Sequence, residues 1–264
     1  MHQVVMRKPR PPLRWAGSKR KLLSELARAV PLEFSTYIEP FAGSACLFFH
    51  LQPKRAILGD INPELIGFYR ATRKHPHEVL RSAIRRRRTE AGYYAARVRY
   101  IAERDATSRA SLFLFLKHFC FNGIFRTNSK GNFNVPFGTR TGAFPSFEEF
   151  HNAANLLKRV TLLCSDFEHV LHRAKEGDFA YLDPPYVYRT RKDRGEYAKG
   201  ASSAVGRNVP VQQPGWVTAS EPMFRHVVGQ GGIGVKSSFI QVVSVRTCRR
   251  WMDCPTPQGR QNVE

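Results

Sequence analysis

The sequence has few cysteines and none of the close cysteine pairs that metal sites and redox motifs use. Its five cysteines form an odd and scattered set in a chain of 264 residues: Cys46, Cys120, Cys164, Cys248 and Cys254. Such a set predicts neither a disulfide framework nor a zinc site, and we expect reduced, mostly buried thiols. The nine histidines lack an HExxH or other clustered ligand spacing, so no metal is predicted.

Long apolar runs and a secretory leader are also lacking. No stretch approaches the roughly 18 consecutive apolar residues that a membrane-spanning helix needs. The N-terminal segment, residues 1–12, is basic and proline-rich, and it lacks the apolar core of a secretory signal. These absences predict a cytoplasmic protein that does not attach to a membrane.

Acidic residues are scarce relative to basic ones. Lys and Arg together number 42 against 21 Asp and Glu, which gives a formal net charge of +21. An excess of this size goes beyond solubility and predicts a polyanionic partner, with nucleic acid as the first candidate. An acidic membrane surface is the competitor, but no basic amphipathic anchor stands apart from the rest of the sequence.

The stretch after the basic N-terminus has the pattern of an α/β fold. A helical pattern covers residues 19–30, and a strand at residues 36–41 leads through a turn of small residues into a helix at residues 46–50. A second buried strand, residues 55–59, ends at Asp60. Such strand–helix–strand units build parallel sheets, in which ligands bind at the carboxyl ends of the strands.

A different pattern begins near residue 66 and predicts an inserted helical subdomain. Its helical stretches are dense in arginine, and phosphate contact is the favoured interpretation of the run Arg85–Arg88, with a solvated helix face as the alternative. Residues 126–138 hold a turn-rich Asn-Ser-Lys-Gly centre between extended flanks, which predicts a basic hairpin able to probe a groove. Four phenylalanines of the preceding apolar helix are predicted to be core: Phe113, Phe115, Phe119 and Phe121.

The α/β pattern then resumes and places acids after two further strands. A strand at residues 160–164 precedes Asp166, and a strand at residues 179–182 runs into Asp183. Together with Asp60, these acids are expected to converge on one crevice. The predicted organisation is a catalytic domain of residues 1–65 and 155–264 around an insert of residues 66–154, and a monomer suffices for it.

The first strand–helix turn suits a nucleoside-containing cofactor. Gly43 lets the backbone approach a ligand closely, and Asp60 is placed to accept hydrogen bonds from ribose hydroxyls. Because the turn lacks a GxGxxG pattern, a cofactor without phosphates is favoured over a dinucleotide, and S-adenosylmethionine fits that description. An ordinary turn followed by an exposed acid remains the alternative.

The most specific pattern is Asp183-Pro184-Pro185-Tyr186, directly after a buried strand. An adenine amino group is a poor nucleophile, so it needs acceptors that hold both of its N–H bonds. The Asp183 carboxylate and the Pro184 carbonyl supply them in a loop that prolines stiffen. Tyr186 offers a face on which a base flipped out of the duplex can stack.

Five motifs in this order resemble the D12-class, Dam-type adenine-N6 DNA methyltransferases over roughly residues 11–187. They are Arg14 to Lys19, Glu39 to Gly43, Gly59 to Asn62, the hairpin region from Phe121 to Gly138, and Asp183 to Tyr186. The resemblance implies a Rossmann-like S-adenosylmethionine-dependent methyltransferase sheet with an inserted helical target-recognition subdomain.

The resemblance also implies roles for single residues. The implied cofactor contacts are Trp15, Lys19, Phe41, Gly43, Asp60, Asp166, Phe167 and Asp183, and the implied catalytic residues are Asp183, Pro184 and Tyr186. Arg126 would read a base, since arginine can donate two bonds to guanine in the major groove. The other implied DNA contacts are Asn122, Asn128 and Lys130.

The sequence departs from the family pattern in two loops and in its tail. Ser18 and Ala45 stand where the family has glycine, which leaves open whether cofactor binding is weakened. Residues 201–264 are atypical, because the strand ending in Ser-Asn that the family carries is not found there. Either the tail has diverged, with strands at residues 232–235 and 239–245, or the reading frame slips near Gly200, which is slightly favoured.

The expected function is methyl transfer from S-adenosylmethionine to N6 of adenine in double-stranded DNA, with GATC as the implied site. Amino methylation of cytosine or of RNA is the enzyme alternative; the Asp that opens the catalytic motif favours adenine, and a hairpin shaped for a major groove disfavours A-form RNA. A catalytically impaired DNA-binding remnant is the alternative from another class, motivated by the tail.

Overall fold

A five-stranded sheet forms the centre of the protein in the computed structural model, which describes residues 9–139, 142–184 and 241–244. The strands are β1 (Tyr37–Glu39), β2 (Ala56–Asp60), β3 (Val160–Cys164), β4 (Phe179–Leu182) and β5 (Gln241–Ser244). Their order in the sheet is β3-β2-β1-β4-β5. The first four strands are parallel, whereas β5 runs antiparallel to β4. The predicted α/β class with a parallel sheet is confirmed.

The strand order reverses between β1 and β4, and this fixes where a ligand can enter. From β1 the chain crosses to β2, and it later returns to place β4 on the other side of β1. Connections that leave in opposite directions open a crevice at the carboxyl ends of the two strands. β1 is buried along its whole length, as expected for a strand covered on both faces.

The position of β5 bears on the atypical tail. One of the two segments expected to supply strands, residues 239–245, contains β5, which pairs with β4 from Gln241 opposite Leu182 to Ser244 opposite Phe179. The other segment, residues 232–235, lies outside the described residues. The tail therefore contributes at least one strand to the sheet, and a frame slip stays a hypothesis for gene sequencing.

The helices of the described chain begin mostly at residues whose side chains cap them. They are α1 (Leu23–Ala29), α2 (Cys46–Leu51), α3 (Pro63–Lys74), α4 (Pro76–Ile84), α5 (Glu90–Ala102), α6 (Ala106–Phe119), α7 (Phe147–Leu157) and α8 (Phe167–Leu171). Asn62, Thr89, Asp105, Ser146 and Asp166 each accept a backbone N–H of the first turn that follows. Such caps satisfy donors that a helix leaves unpaired.

Helix α6 is the centre of the helical layer. Every residue from Ala110 to Phe119 is buried, because α6 packs against α3, α4 and α5. The side chains of this layer form one large apolar core with most of those of the sheet, and Ile38, Ala180 and Val170 form a smaller, separate cluster. Phe113, Phe115 and Phe119 lie in that core as predicted.

A partly buried ion pair fastens the helical layer beside the sheet. The Arg109 guanidinium of α6 donates to both carboxylate oxygens of Glu64 in α3, over 2.6 and 2.9 Å. The hydroxyl of Tyr100 in α5 donates to the same carboxylate. Bidentate geometry with a third donor satisfies the partly buried charge. Three helices therefore meet at the first turn of α3.

One expectation about a single residue is wrong. Phe121 is expected in the core, but it is 50% exposed, because the chain leaves helical geometry at Cys120 and turns outward through a short 3-10 segment, Phe121–Gly123. Of the three described cysteines, Cys46 and Cys120 are buried and Cys164 at the end of β3 is exposed, which agrees with the expectation of mostly buried thiols. Within the described residues no helix is long and apolar enough to cross a bilayer.

Candidate active site

A cavity of about 430 Å³ opens at the carboxyl ends of β1, β2 and β4. Nine of the residues singled out from the sequence line it: Trp15, Lys19, Phe41, Gly43, Asp60, Asp166, Phe167, Asp183 and Pro184. They come from five separate stretches of sequence, and the sheet brings them together because each stretch follows a strand or precedes a helix at the same edge. Pro185 and Tyr186 lie outside the described residues.

Asp183 forms an ion pair with Lys19 inside the cavity. The Lys19 ammonium donates to both carboxylate oxygens, over 2.6 and 2.7 Å, and to the carbonyl of Gly17. The Asp183 and Lys19 side chains are 17% and 10% exposed, so the pair is largely shielded from screening by water. The N-terminal motif and the motif after β4 are thus held together across 164 residues of sequence.

Asp60 is held by two backbone donors at the end of β2. Gly43 N–H donates to one carboxylate oxygen over 3.1 Å, and Asn62 N–H donates to the other over 2.9 Å. Burial raises the pKa of Asp60 to about 6, although both hydrogen bonds act to lower it. Each oxygen keeps further acceptor capacity, so the carboxylate is oriented to receive two more donors.

Gly43 occupies a position that other residues would strain. Its φ is +46°, in the left-handed region, and a Cβ there would lie 3.1 Å from Cδ1 of Trp15. The Tyr69 hydroxyl donates to its carbonyl over 2.7 Å. The glycine turn, the tryptophan and Asp60 therefore form one packed corner of the cavity.

Two stacked aromatic rings form another part of the cavity wall. Phe41, just after β1, stacks on Phe167 with ring centroids 5.5 Å apart and an angle of 24° between planes. The Asp166 carboxylate accepts from the His169 N–H over 2.8 Å and thereby caps α8. Capping fixes the position of Phe167, the first residue of that helix, so Asp166 shapes the aromatic wall as well as lining the cavity.

Glu39 is a cavity residue to which the sequence pattern gave no role. It lies at the end of β1, is 3% exposed, and accepts a hydrogen bond from the Tyr37 hydroxyl over 2.8 Å. Burial raises the pKa of Glu39 well above its usual value, and the nearby carboxylates of Asp183 and Asp60 raise it further. A charged residue inside an otherwise apolar strand was the available signal.

The two glycine replacements have different consequences. The Ser44 hydroxyl donates to the Ser18 hydroxyl over 3.1 Å, so the replacement at Ser18 adds a link between two loops of the cavity. Ala45 has φ +50° and ψ +37°, where a residue with a Cβ is disfavoured by roughly 1–2 kcal/mol. The loop holds a left-handed conformation at Ala45 at a cost in strain.

The cavity is acidic in a strongly basic protein. Among its described lining residues, the one basic side chain is Lys19, and five carry carboxyl groups: Glu39, Asp60, Glu64, Asp166 and Asp183. No group of three or more His, Cys, Asp or Glu side chains in the described parts of the chain could hold a metal ion. The arrangement suits a ligand with hydroxyl groups and positive charge.

The predicted hairpin borders this cavity. Phe125, Thr127 and Gly131 contribute to the lining, and isolated bridges join Thr127 to Phe133 and Cys120 to Phe137. The exposed Arg126 guanidinium donates through Nε to the Asn134 side chain over 2.9 Å and through Nη2 to the Asn134 carbonyl. The hairpin is thus present in an irregular form, with an arginine held on its surface.

The other residues implied to contact DNA are all exposed. Asn128 organises the hairpin turn, since its side-chain oxygen accepts from the backbone N–H groups of Lys130 and Asn132, each over 3.0 Å. Asn122 has φ +51°, a conformation that asparagine tolerates better than most residues.

Comparisons with known proteins agree on one family. A family model described as D12 class N6 adenine-specific DNA methyltransferase matches residues 15–202. The chain is 35% identical to a DNA adenine methylase of Vibrio cholerae over 186 residues, which cover 69% of this chain and 67% of the relative. It is 31% identical to the DNA adenine methylase of Escherichia coli over 225 residues, 78% of this chain and 80% of the relative.

An archaeal relative shows a similar degree of identity. A type II methyltransferase of Methanocaldococcus jannaschii is 32% identical over 199 residues, which cover 67% of this chain and 69% of the relative. The residues matched by the family model include the segments that line the cavity and the hairpin.

Proposed function

Because the chain belongs to the D12 class of N6 adenine-specific DNA methyltransferases, we propose that it transfers a methyl group from S-adenosylmethionine to adenine N6 within GATC in duplex DNA. The observation that carries the proposal is the position of Asp183, in the same cavity as Asp60 and beside the hairpin of Arg126. Asp183, the hydrogen-bond acceptor for the target amine, and Asp60, the hydrogen-bond acceptor for the ribose of the cofactor, then share one site.

The cavity residues fit S-adenosylmethionine. Asp60 would accept from the ribose hydroxyls, and the ring pair Phe41 and Phe167 with Asp166 would hold the adenine of the donor. The ionised carboxylates of the lining suit the positive charges of an ammonium and a sulfonium group. Trp15, Gly43 and Lys19 complete the walls. When bound, the donor supplies a methyl group made electrophilic by the sulfonium.

Asp183 and Pro184 prepare the target amine. The carboxylate of Asp183 and the carbonyl of Pro184 would accept the two N–H bonds of the adenine amino group, which frees the nitrogen lone pair from the ring. One of these protons leaves after the methyl group has been received, and Asp183 is placed to take it. Lys19 holds the carboxylate in position until the target amine arrives, and Tyr186 would stack on the base.

The hairpin and the helical layer would carry DNA recognition. The hairpin borders the cavity, so an adenine reaches Asp183 only if it leaves the base stack. Arg126 would donate to guanine in the major groove, with Asn122, Asn128 and Lys130 as further contacts. Residues 66–154 act in this proposal as the target-recognition insert, and one copy of the chain suffices.

Methyl transfer from tritiated S-adenosylmethionine tests the proposal. We expect label in a GATC duplex and none in a GTTC duplex. Asp183→Ala is expected to lose about 10³-fold or more in rate, in the range seen when a preorganised transition-state contact is removed. The exposed Lys158, replaced as Lys158→Ala, is the control and should keep full activity.

Two outcomes would contradict parts of the proposal. Label that appears equally in the GTTC duplex would remove GATC as the site and leave the adenine specificity to be mapped. Retained duplex binding without any label would favour the DNA-binding remnant, although the described cavity residues supply no reason to prefer it.

A further inference from the structure

One buried cation has no part in the proposed reaction. Lys117 lies in the last turn of α6, and its side chain has no exposure to solvent. Its ammonium donates to the carbonyl of Gly123. A lysine in a protein core is rare because removing its charge from water costs free energy, so its contacts must offset that cost.

The ammonium of Lys117 supports the wall of the cavity from behind. Its Nζ lies 4.2 Å from the centroid of the Trp15 ring and 5.9 Å from that of Phe125. These two rings are nearly parallel, with centroids 5.9 Å apart and an angle of 14° between planes. Both line the cavity. A desolvated cation attracts the face of an indole strongly, so Lys117 fixes the orientation of Trp15.

The same contact reaches the base of the hairpin. The Gly123 carbonyl accepts from Lys117 and also from the backbone N–H of Ala16, over 3.1 Å for the latter. Gly123 has φ +66°, and a Cβ there would lie 3.1 Å from Cγ of Arg14. The segment that carries Trp15 and the segment that leads into Phe125 are therefore joined at one carbonyl.

We propose that Lys117 is a positioning residue that holds Trp15 and Phe125 in the wall of the donor cavity and joins that wall to the target-reading hairpin. A space-filling role would be served as well by methionine, which has a similar length and carries no charge to desolvate. The consequence for donor affinity rests on the proposed function, whereas the contact between the ammonium and the rings does not.

The charge of Lys117 can be followed by titration. Burial lowers the pKa of Lys117 to about 7; Cys120 acts to raise it and Arg14 to lower it further. His118, the next residue, also titrates, with a pKa lowered by its own burial. Because the ammonium lies 4.2 Å from the centroid of the Trp15 ring, the fluorescence emission of Trp15 should respond to the protonation of Lys117 near neutral pH.

Tryptophan fluorescence of the full chain tests the contact. The sequence contains three tryptophans, so replacing Trp216 and Trp251 by phenylalanine leaves Trp15 as the emitter. We expect its emission to change between about pH 6 and 8.5 with a midpoint near the Lys117 pKa of about 7. Lys117→Met should abolish the transition near pH 7, while the exposed control Lys158→Met should leave it as it is; a transition near pH 6 that remains in Lys117→Met belongs to Asp60.

Binding of tritiated S-adenosylmethionine by equilibrium dialysis tests the consequence. Lys117→Met is expected to weaken binding about tenfold, the fold-change expected when a desolvated ammonium no longer holds an aromatic ring. Lys117→Arg, which keeps the charge, should stay within about threefold of the parent. This variant also decides the emission test if Lys117→Met does not fold, because arginine has no titration near neutral pH and should remove the midpoint.

The outcomes separate this inference from the proposed function. An emission midpoint that persists in both Lys117 variants, or donor binding that is equal in parent and Lys117→Met, overturns the role of Lys117. A parent protein that does not bind the donor overturns the proposed function, and the emission of Trp15 still decides whether Lys117 holds the ring.

Discussion

Among single residues, Asp60 has the most direct consequence for pH dependence. Its pKa is raised to about 6 by burial, and only the ionised form offers both oxygens to ribose hydroxyls. Donor binding should therefore weaken by up to about tenfold for each pH unit below about 6. Equilibrium dialysis between about pH 5 and 8 measures this, and a flat profile would show that Asp60 does not bind the ribose.

The titration of Asp60 would not weaken cofactor binding at low pH by unfolding the protein. A carboxyl group whose pKa is raised on folding contributes stability that is fully present below its unfolded pKa, about 3.9. That contribution is lost as the pH rises through the folded value of about 6. Stability and donor binding thus change in opposite directions with pH, and a denaturation curve at about pH 5 separates them.

The strain at Ala45 predicts an unusual tolerance. Ala45 and Ala154 are both 1% exposed, but Ala45 has φ +50° and Ala154 lies within helix α7. In Ala45→Gly, relief of about 1–2 kcal/mol of strain offsets the removal of a methyl group and the added chain entropy. We expect a free energy of unfolding within about 0.5 kcal/mol of the parent by urea denaturation.

The matched control for that change is Ala154→Gly. It removes the same methyl group and also helix propensity, so it should cost about 1.5–2 kcal/mol. Equal losses in the two variants would show that Ala45 is not strained.

Sequence patterns located the acids of the site but missed its buried partners. Asp60, Asp166 and Asp183 were predictable because an acid that follows a buried strand must lie at the sheet edge. The roles of Glu39 and Lys117 were not, because each depends on tertiary neighbours that are distant in sequence. Phe121 was wrongly assigned to the core because an apolar residue at the end of a helix continues the helical pattern in the sequence.

Among the elements, the hairpin gives a test of specificity. The Asn134 contacts engage Nε and Nη2 of Arg126, which leaves Nη1 of the guanidinium to donate to a base and Nη2 with a second hydrogen. The parent should prefer GATC over a site in which one guanine pair is replaced. Arg126→Ala should reduce this preference about 10–100-fold, the value of one bidentate base contact.

Competition between the two duplexes in one methylation reaction measures that preference. The exposed Arg159, replaced by alanine, removes the same charge elsewhere and should leave the preference unchanged. Discrimination that survives in Arg126→Ala would assign base recognition to other residues.

Elements set by local sequence were predicted well, and those set by packing were not. The turn of the hairpin follows from Asn128, whose side chain accepts two backbone N–H groups, and from Gly131 with its positive φ. The apolar pattern predicts the end of α6 two residues beyond Phe119, where the structure ends it. The sequence could predict β5 as a strand but not its pairing with β4, because no local pattern specifies the partner of a strand.

For the whole molecule, the net charge of +21 predicts salt-sensitive binding to duplex DNA. Arg85, Arg87 and Arg88 are exposed after α4. If all three neutralise phosphates, their replacement by alanine should lower the slope of log affinity against log salt by nearly 3. Titrations between about 50 and 300 mM KCl measure the slope, and Lys158→Ala should leave it unchanged. An unaltered slope in the triple variant would indicate a solvated surface.

The acidic lining of the cavity also bears on turnover. With S-adenosylmethionine as donor, the ligand carries a positive sulfonium on entry, and that sulfur becomes an uncharged thioether once the methyl group has left, while the ammonium charge stays. Acidic side chains line the cavity, so the reaction itself removes part of the attraction that retained the ligand. The spent cofactor should therefore be held less tightly than the fresh one, and the cavity would limit product inhibition by its own charge.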